Sequence, residues 1–254
     1  LSLLILHKNL TLYIMSISIQ KNEEPPLKKP SFVVDGKLHD KLDNYEITKL
    51  MNKHSFTLFL GRAGSGKSTL LISLLQSPKL FKNVYHTIIL FCPPNSRASI
   101  KNDFWSVLPE EQIYDELNIE TLSEAYQMAE ANAAEGFRTL IVLDDVQKSL
   151  KGEAEKLLLH MVNNRRHAGL SIWMACQTYK SIPRQVRQGL SSLFIFKIQK
   201  GEMATIFEEQ VEISDNIYKA ILDISYKKPH DFIFIDTNSQ NIFVNWDKVI
   251  IEDE

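Results

Sequence analysis

Three observations in the sequence predict an α/β fold, in which a mostly parallel central sheet is covered by helices on both faces. From near Phe32 onward, short apolar runs alternate with longer stretches of helical periodicity. Those runs are nearly continuous in apolar residues, as strands buried on both faces should be. A glycine-rich octapeptide, Gly61-Arg62-Ala63-Gly64-Ser65-Gly66-Lys67-Ser68, sits between one run (FTLFL) and one helical pattern (STLLISLL). That is the strand-loop-helix setting of a phosphate-binding loop.

Taken in order, the chain opens with LSLLILHKNLTLYIM, which is apolar but broken by His7, Lys8 and Asn9 and too short to span a bilayer. No membrane insertion is expected from it. The first methionine is Met15, so residues 1–14 read as translated from upstream of the true start, and they lack the early positive charge and cleavage site of a signal peptide. Residues 16–31 (SISIQKNEEPPLKKPS) are polar and contain prolines, so residues 1–31 together read as a flexible leader. The folded part is expected to start near Phe32 and to run to residue 254 as one domain.

Strands are expected at Phe56–Leu60, Thr87–Cys92, Thr139–Leu143, Ser171–Cys176 and Leu193–Ile198, which together make a five-stranded sheet. Helices are expected at Lys67–Gln76 and at Glu153–Arg166, where Leu157, Leu158, Met161 and Val162 keep one face apolar. Ile206 and Phe207, and then Ile217–Ile224, belong to later helices. DFIFIDT and NIFVNW flank Asn238, Ser239 and Gln240 and form a C-terminal β-hairpin.

The 254 residues are 44% hydrophobic and 24% charged, enough for one large core. A net charge of -2 gives no broad basic field and so argues weakly against nucleic acid, although charge gathered on one loop does not show in a total. The two cysteines, Cys92 and Cys176, each end an apolar run and read as packed thiols, which fits a reducing compartment.

Residues 61–68 match G-x-x-x-x-G-K-[ST]. The glycines let successive N–H groups turn toward phosphate oxygens, and the following helix adds the positive end of its dipole. Lys67 is placed to reach the β- and γ-phosphates of ATP. Ser68 offers its hydroxyl to Mg2+, with Thr69 beside it at the helix start. The run TLIVLDDV then supplies two acids at a strand end. Asp144 is the natural magnesium-side acid, and Asp145 is free to orient or deprotonate the attacking water. Aspartates that end a strand and cap the next turn are also common.

After the fourth expected strand, Gln177 either contacts the γ-phosphate or simply bonds a neighbouring loop. Arg165, Arg166 and His167 end a helix, with Gly169 as terminator, and cations there complement the helix dipole. The functional alternative makes one arginine a finger inserted into a neighbouring subunit's ATP site, with Arg184 and Arg187 as rivals. Lys180, Arg184, Arg187, Lys197 and Lys200 make this quarter of the chain basic. They read either as a solvated face or as contacts to a DNA backbone with little dependence on sequence.

Taken together, GRAGSGKS, IVLDD and NNRRHAGLSIWMACQTYKSIP resemble the genome-packaging ATPases of large double-stranded DNA viruses, the poxvirus-type branch of the FtsK-HerA superfamily. The resemblance spans roughly residues 55 to 245 and leaves the leader uncovered. It implies a RecA-like core that forms a homo-oligomeric ring and drives viral double-stranded DNA into a preformed capsid. It further implies a place in the host cytoplasm or viral factory, association with the virion, and capsid-vertex or membrane proteins as docking partners. Carried over by residue, Lys67 and Ser68 hold nucleotide and Mg2+, Asp144 and Asp145 are the acidic pair, and Gln177 is the sensor. Arg166 matches an Arg-His position and Arg187 a downstream arginine after Tyr-Lys-Ser-Ile-Pro, and which one is the finger stays open.

Rival readings are a small-molecule kinase on the same core, a nucleotide-gated scaffold and a cellular DNA pump of the same superfamily. The kinase wants an arginine-rich lid that the sequence between Asp145 and Gln177 does not supply. A GTPase is disfavoured because no Asn-Lys-x-Asp segment follows the fourth strand.

Overall fold

The computed structural model describes residues 15–22, 51, 54–98, 100, 103–211 and 213–253. Among these residues the centre is one sheet of ten strands: β1 Met15–Gln20, β2 Phe56–Leu60, β3 Thr87–Phe91, β4 Ile113–Tyr114, β5 Thr139–Asp144, β6 Leu170–Cys176, β7 Ser192–Phe196, β8 Phe232–Asp236, β9 Asn241–Val244 and β10 Asp247–Asp253. Their order across the sheet is β1-β10-β9-β8-β7-β2-β6-β5-β3-β4. From β7 to β4 every pairing is parallel, whereas β7 to β8 and all pairings beyond are antiparallel.

The parallel half exists because its strands are apolar on both faces and therefore need cover on both. In β2, Phe56, Leu58 and Leu60 face one core and Phe59 the other. The first core is roofed by four helices: α2 Ile119–Ala134, α3 Glu153–Asn164, α4 Lys200–Gln210 and α5 Asp215–Ile224. The second is roofed by α1, Lys67–Gln76, whose Leu70, Leu71, Leu74 and Leu75 are buried. Buried polar groups also meet between β2 and the start of β7. Thr57 and Ser192 hydroxyls meet at 2.8 Å, and Ser191 Oγ accepts the Phe56 N–H at 2.9 Å.

All five expected strands and both named early helices are present within a residue or two of their predicted ends, as is the terminal hairpin. The Ile206–Phe207 pair lies in α4, and Ile217–Ile224 lies in α5. The sequence did not announce α2, whose buried stripe is Leu122, Ala125, Tyr126 and Ala129. Its start is nevertheless encoded: Asn118 Oδ1 accepts the Thr121 N–H at 2.9 Å and Thr121 Oγ1 accepts the Asn118 N–H at 3.1 Å, a reciprocal cap.

The expected five-stranded sheet is ten strands wide among the described residues, and the expectation for the leader is corrected as well. Met15–Gln20, assigned to a flexible leader, forms β1 and pairs antiparallel with β10 from Met15 opposite Asp253 to Gln20 opposite Lys248. Its Ser-Ile-Ser-Ile alternation is that of a strand, and the apolar partner strand lies at the far end of the chain. Residues 1–14, the rest of the proposed leader over 23–31 and the proposed start near Phe32 lie outside the described residues.

An aromatic cluster binds the two halves of the sheet together. Phe194 of β7 stacks on Phe59 of the parallel half at 4.9 Å and meets Phe234 of the antiparallel half at 4.6 Å and Phe232 at 5.6 Å. Removing that ring leaves a cavity at the seam, so Phe194→Ala is expected to cost about 3–5 kcal/mol of stability. Urea unfolding of the variant against the parent chain checks this, and a loss under about 1 kcal/mol would mean that the seam is held elsewhere.

Candidate nucleotide and magnesium site

The parallel register carries the ends of β2, β6 and β5 to one edge: Leu60 lies opposite Cys176 and Asp144 opposite Ala175. The glycine-rich loop leaves β2 there and turns into α1. Gly64 and Gly66 have φ of 72° and 107°, values that side chains resist, and Gly66 caps the helix with no side-chain bond to its N–H groups. No acidic residue sits in the first turn of α1, so the amide ends and dipole face the loop without competition. Gly61 is needed for a different reason. A Cβ there would lie 2.4 Å from Ser65 Oγ and 2.8 Å from Phe196 Cβ, because the loop folds back onto itself over the end of β7.

Lys67 is buried, and its ammonium donates to the Gly61 carbonyl at 2.9 Å and the Arg62 carbonyl at 3.1 Å. Burial pushes its pKa below the ordinary lysine value, while Asp145 and Asp144 pull it back up. Ser68 Oγ donates to Asp144 Oδ2 at 3.1 Å, bringing together the two residues predicted for Mg2+. Asp144 is only 6% exposed. Burial raises its pKa, against the Ser68 hydrogen bond that lowers it, with Asp145 raising it and Lys67 lowering it. A buried carboxylate, a hydroxyl and a lysine beside a glycine-rich loop at a helix N-terminus form the set that a phosphate with a hard cation requires, so the residues present fit ATP and Mg2+. Arg62, Ala63 and Gly64 are exposed on the loop, and Thr69 follows Ser68 in the first turn of α1.

Asp145 has φ of 61°, a left-handed conformation that aspartate tolerates better than most residues, and its N–H donates to the Ala175 carbonyl at 3.0 Å. This turn swings its carboxylate across to the next strand end. There Gln177 Nε2 donates to Asp145 Oδ1 at 3.3 Å and Oδ2 at 3.2 Å. The two residues read separately from the sequence thus form one pair at the mouth of the phosphate loop.

The arginines separate by depth. Arg166 is exposed after α3, on the turn leading into β6, and so lies at the edge of the sheet opposite its own phosphate loop. Arg165 bends inward to donate to the His54 carbonyl at 2.8 Å. Arg187 corrects the sequence reading. It is 7% exposed, donates to Glu209 through Nε at 3.1 Å and a terminal nitrogen at 2.9 Å, and gives its other terminal nitrogen to the Ile182 carbonyl at 3.0 Å. Its guanidinium also lies 4.6 Å over the Tyr179 ring. These contacts tie Arg187 to α4 and to the loop after β6. Arg184, Lys180, Lys197 and Lys200 remain exposed.

Two residues at the site escaped the sequence reading. Phe196, the last residue of β7, packs under Gly61 and Gly66. His230, from the segment before β8, brings Nδ1 to 2.9 Å from the Ser65 carbonyl. No motif marks either of them. Cys92 and Cys176 are free and buried, and burial pushes both thiols up to about 12.

A family model described as "Poxvirus A32 protein" matches residues 43–244, most of the chain and the whole site. The chain belongs to the poxvirus A32 protein family. Among solved structures, similarity extends to the genome-packaging NTPase B204 of Sulfolobus turreted icosahedral virus 2. Its AMP complex is 21% identical at a TM-score of 0.55, over 76% of this chain and 98% of that one. Its ATP-gammaS complex is 22% identical at the same score and coverage. The DNA-packaging ATPase B204 of Sulfolobus turreted icosahedral virus is 19% identical, with a TM-score of 0.54 over 76% and 98%. At these identities the likeness is one of fold. No curated protein matches this A32-family chain.

Two outcomes follow from the geometry. Gly61→Ala forces the loop off Phe196 and Ser65, and is expected to weaken ATP binding by at least about tenfold; calorimetric titration at unchanged fold checks it. Asp144→Asn separates stability from function. A carboxyl group whose pKa is raised by folding holds its proton more tightly folded than unfolded, so the ionised form detracts from stability above the ordinary value of 3.8. The detriment is complete once pH exceeds the raised folded pKa, and it fades as pH falls back through that value toward 3.8. The variant is therefore expected to melt above the parent at pH 7, with the gap closing toward pH 4, while losing magnesium-dependent ATP turnover. A lower melting point at pH 7 would contradict it.

Proposed function

We propose that this chain is an ATP-driven DNA translocase that packages viral double-stranded DNA into preformed capsids. Membership of the poxvirus A32 family and the likeness to viral packaging ATPases support that reading. The observation that carries its chemistry is the convergence, on one sheet edge, of Lys67, the Ser68–Asp144 pair and the Asp145–Gln177 pair.

Each group has a task. Lys67 exchanges its loop carbonyls for the β- and γ-phosphate oxygens of ATP. Ser68 and Asp144 would hold Mg2+, which would supply charge neutralisation for the phosphates. Asp145 orients the attacking water and takes its proton. Gln177, bonded to both oxygens of that carboxylate, fixes its direction and senses its change when the γ-phosphate leaves. A hydrolytic pair of this kind weighs against the kinase and scaffold readings.

Lys180, Arg184, Lys197 and Lys200 are exposed on segments that leave the carboxyl ends of β6 and β7, the same edge that holds the phosphate loop. Such a basic strip meets a DNA backbone without reading bases. Arg187 and Glu209 hold this strip from beneath, and Glu202 accepts the Tyr179 N–H at 2.6 Å at its base. Arg166, on the opposite edge, can serve only a neighbouring copy, which a head-to-tail ring supplies. Among the described residues no helix is long and apolar enough to cross a membrane. The work is assigned to the host cytoplasm or viral factory, with a capsid vertex as docking partner.

Steady-state ATP hydrolysis with and without long double-stranded DNA, at low and raised salt, tests the reading. Turnover is expected to rise with DNA, and salt to erase the rise. Lys67→Ala is expected to abolish turnover, whereas Asp145→Asn retains ATP binding and loses about 10²–10⁴ in kcat. Turnover indifferent to DNA would remove the motor assignment, and normal turnover in Asp145→Asn would move the base elsewhere.

A further inference from the structure

We propose that His230 is a positioning residue that couples the C-terminal antiparallel strands to the phosphate loop, so that nucleotide binding tightens both; this rests on the nucleotide reading above. The Ser65 carbonyl can only accept, so Nδ1 of His230, 2.9 Å away, carries the hydrogen. In a trans peptide the C=O and N–H point in opposite directions. Holding the Ser65 carbonyl toward His230 therefore turns the Gly66 N–H the other way, as a phosphate donor must face. The same ring closes over the loop at its tightest residue: a Cβ on Gly66 would stand 3.4 Å from both His230 Nδ1 and the Phe196 ring.

His230 has an exposed side chain but a braced backbone. Tyr226 and His230 both take left-handed conformations, at φ of 55° and 66°, that persist only where surroundings enforce them. Tyr226 Oη donates to the Ile195 carbonyl of β7 at 3.0 Å at one end of the segment. At the other end, Asp231 accepts the Lys228 N–H at 2.6 Å and the Asn245 side-chain amide at 3.2 Å. Asn245 in turn accepts the Phe232 N–H at 3.1 Å and donates its own N–H to the Phe232 carbonyl at 2.8 Å. The contact with Ser65 is thus presented by the β8–β9 pair, and a coupling between two such parts is reciprocal.

Two substitutions isolate the side chain. His230→Gly removes the ring and accepts φ of 66° without strain, whereas His230→Asn keeps an N–H donor near the Nδ1 position and tolerates the same backbone. In His230→Gly, the Kd for magnesium-ATP and the KM are expected to rise about five- to tenfold, the worth of one hydrogen bond, with kcat within about twofold. His230→Asn is expected to recover most of the loss. Magnesium-ATP is expected to slow amide exchange across Phe232–Asp236 in the parent chain and to do so less in His230→Gly. An unchanged Kd in His230→Gly, or a His230→Asn variant as weak as His230→Gly, overturns the inference. Lys67→Ala tells the two failures apart. If the parent binds no magnesium-ATP, the nucleotide reading and the inference fall together. If binding is lost in Lys67→Ala but intact in His230→Gly, the inference falls alone.

Discussion

The constraint on which this molecule depends is the register of three parallel strands, β2 beside β6 beside β5. Parallel strands share direction, so their carboxyl ends open on one edge, about 5 Å apart from strand to strand. With Leu60 opposite Cys176 and Asp144 opposite Ala175, the phosphate loop, Gln177 and the aspartate pair all begin from the same line. A slip of β5 by one residue would exchange the faces of Asp144 and Asp145 and separate Ser68 from its partner. Burial on both faces and hydroxyls such as Ser171, whose Oγ accepts the Ser55 N–H at 3.1 Å, make that slip costly.

What could be read from the sequence was what the chain encodes locally. Lys67, Ser68 and the glycines announce themselves because eight consecutive residues carry the whole loop, and Asp144 because it ends an apolar run. The central strands are legible because double burial leaves them without polar interruptions. Helix α2 is not, since alanines carry much of its buried stripe and its periodic signal is weak. Strand β1 reads as polar until its partner, at the other end of the chain, is set beside it. Charge can be read but depth cannot, which is why Arg187 looked like a surface cation. His230 stands 165 residues from Ser65, and nothing local connects them.

The buried cluster beneath the basic strip shows how this protein treats an internal charge. Tyr179 Oη donates to Glu209 at 2.9 Å and accepts the Gln210 amide at 2.9 Å, while Arg187 fills both carboxylate oxygens. A buried ion pair contributes little net stability unless its remaining polar atoms are met, and here they are. The return is definition of geometry, because the segment that follows Gln177 is pinned to α4 at several points and cannot drift independently of it.

The pairing of β1 with β10 bears on how the chain is made. Ribosomal synthesis is vectorial, and β1 emerges among the first described residues whereas β10 contains the last. At 5–20 residues per second the first strand waits on the order of ten to fifty seconds for its partner. Throughout that interval the phosphate loop and central strands can assemble while β1 stays unpaired, an apolar-polar ribbon with open edges in a crowded cell. Pairing β1 with β10 therefore has to wait until β10 has been synthesised.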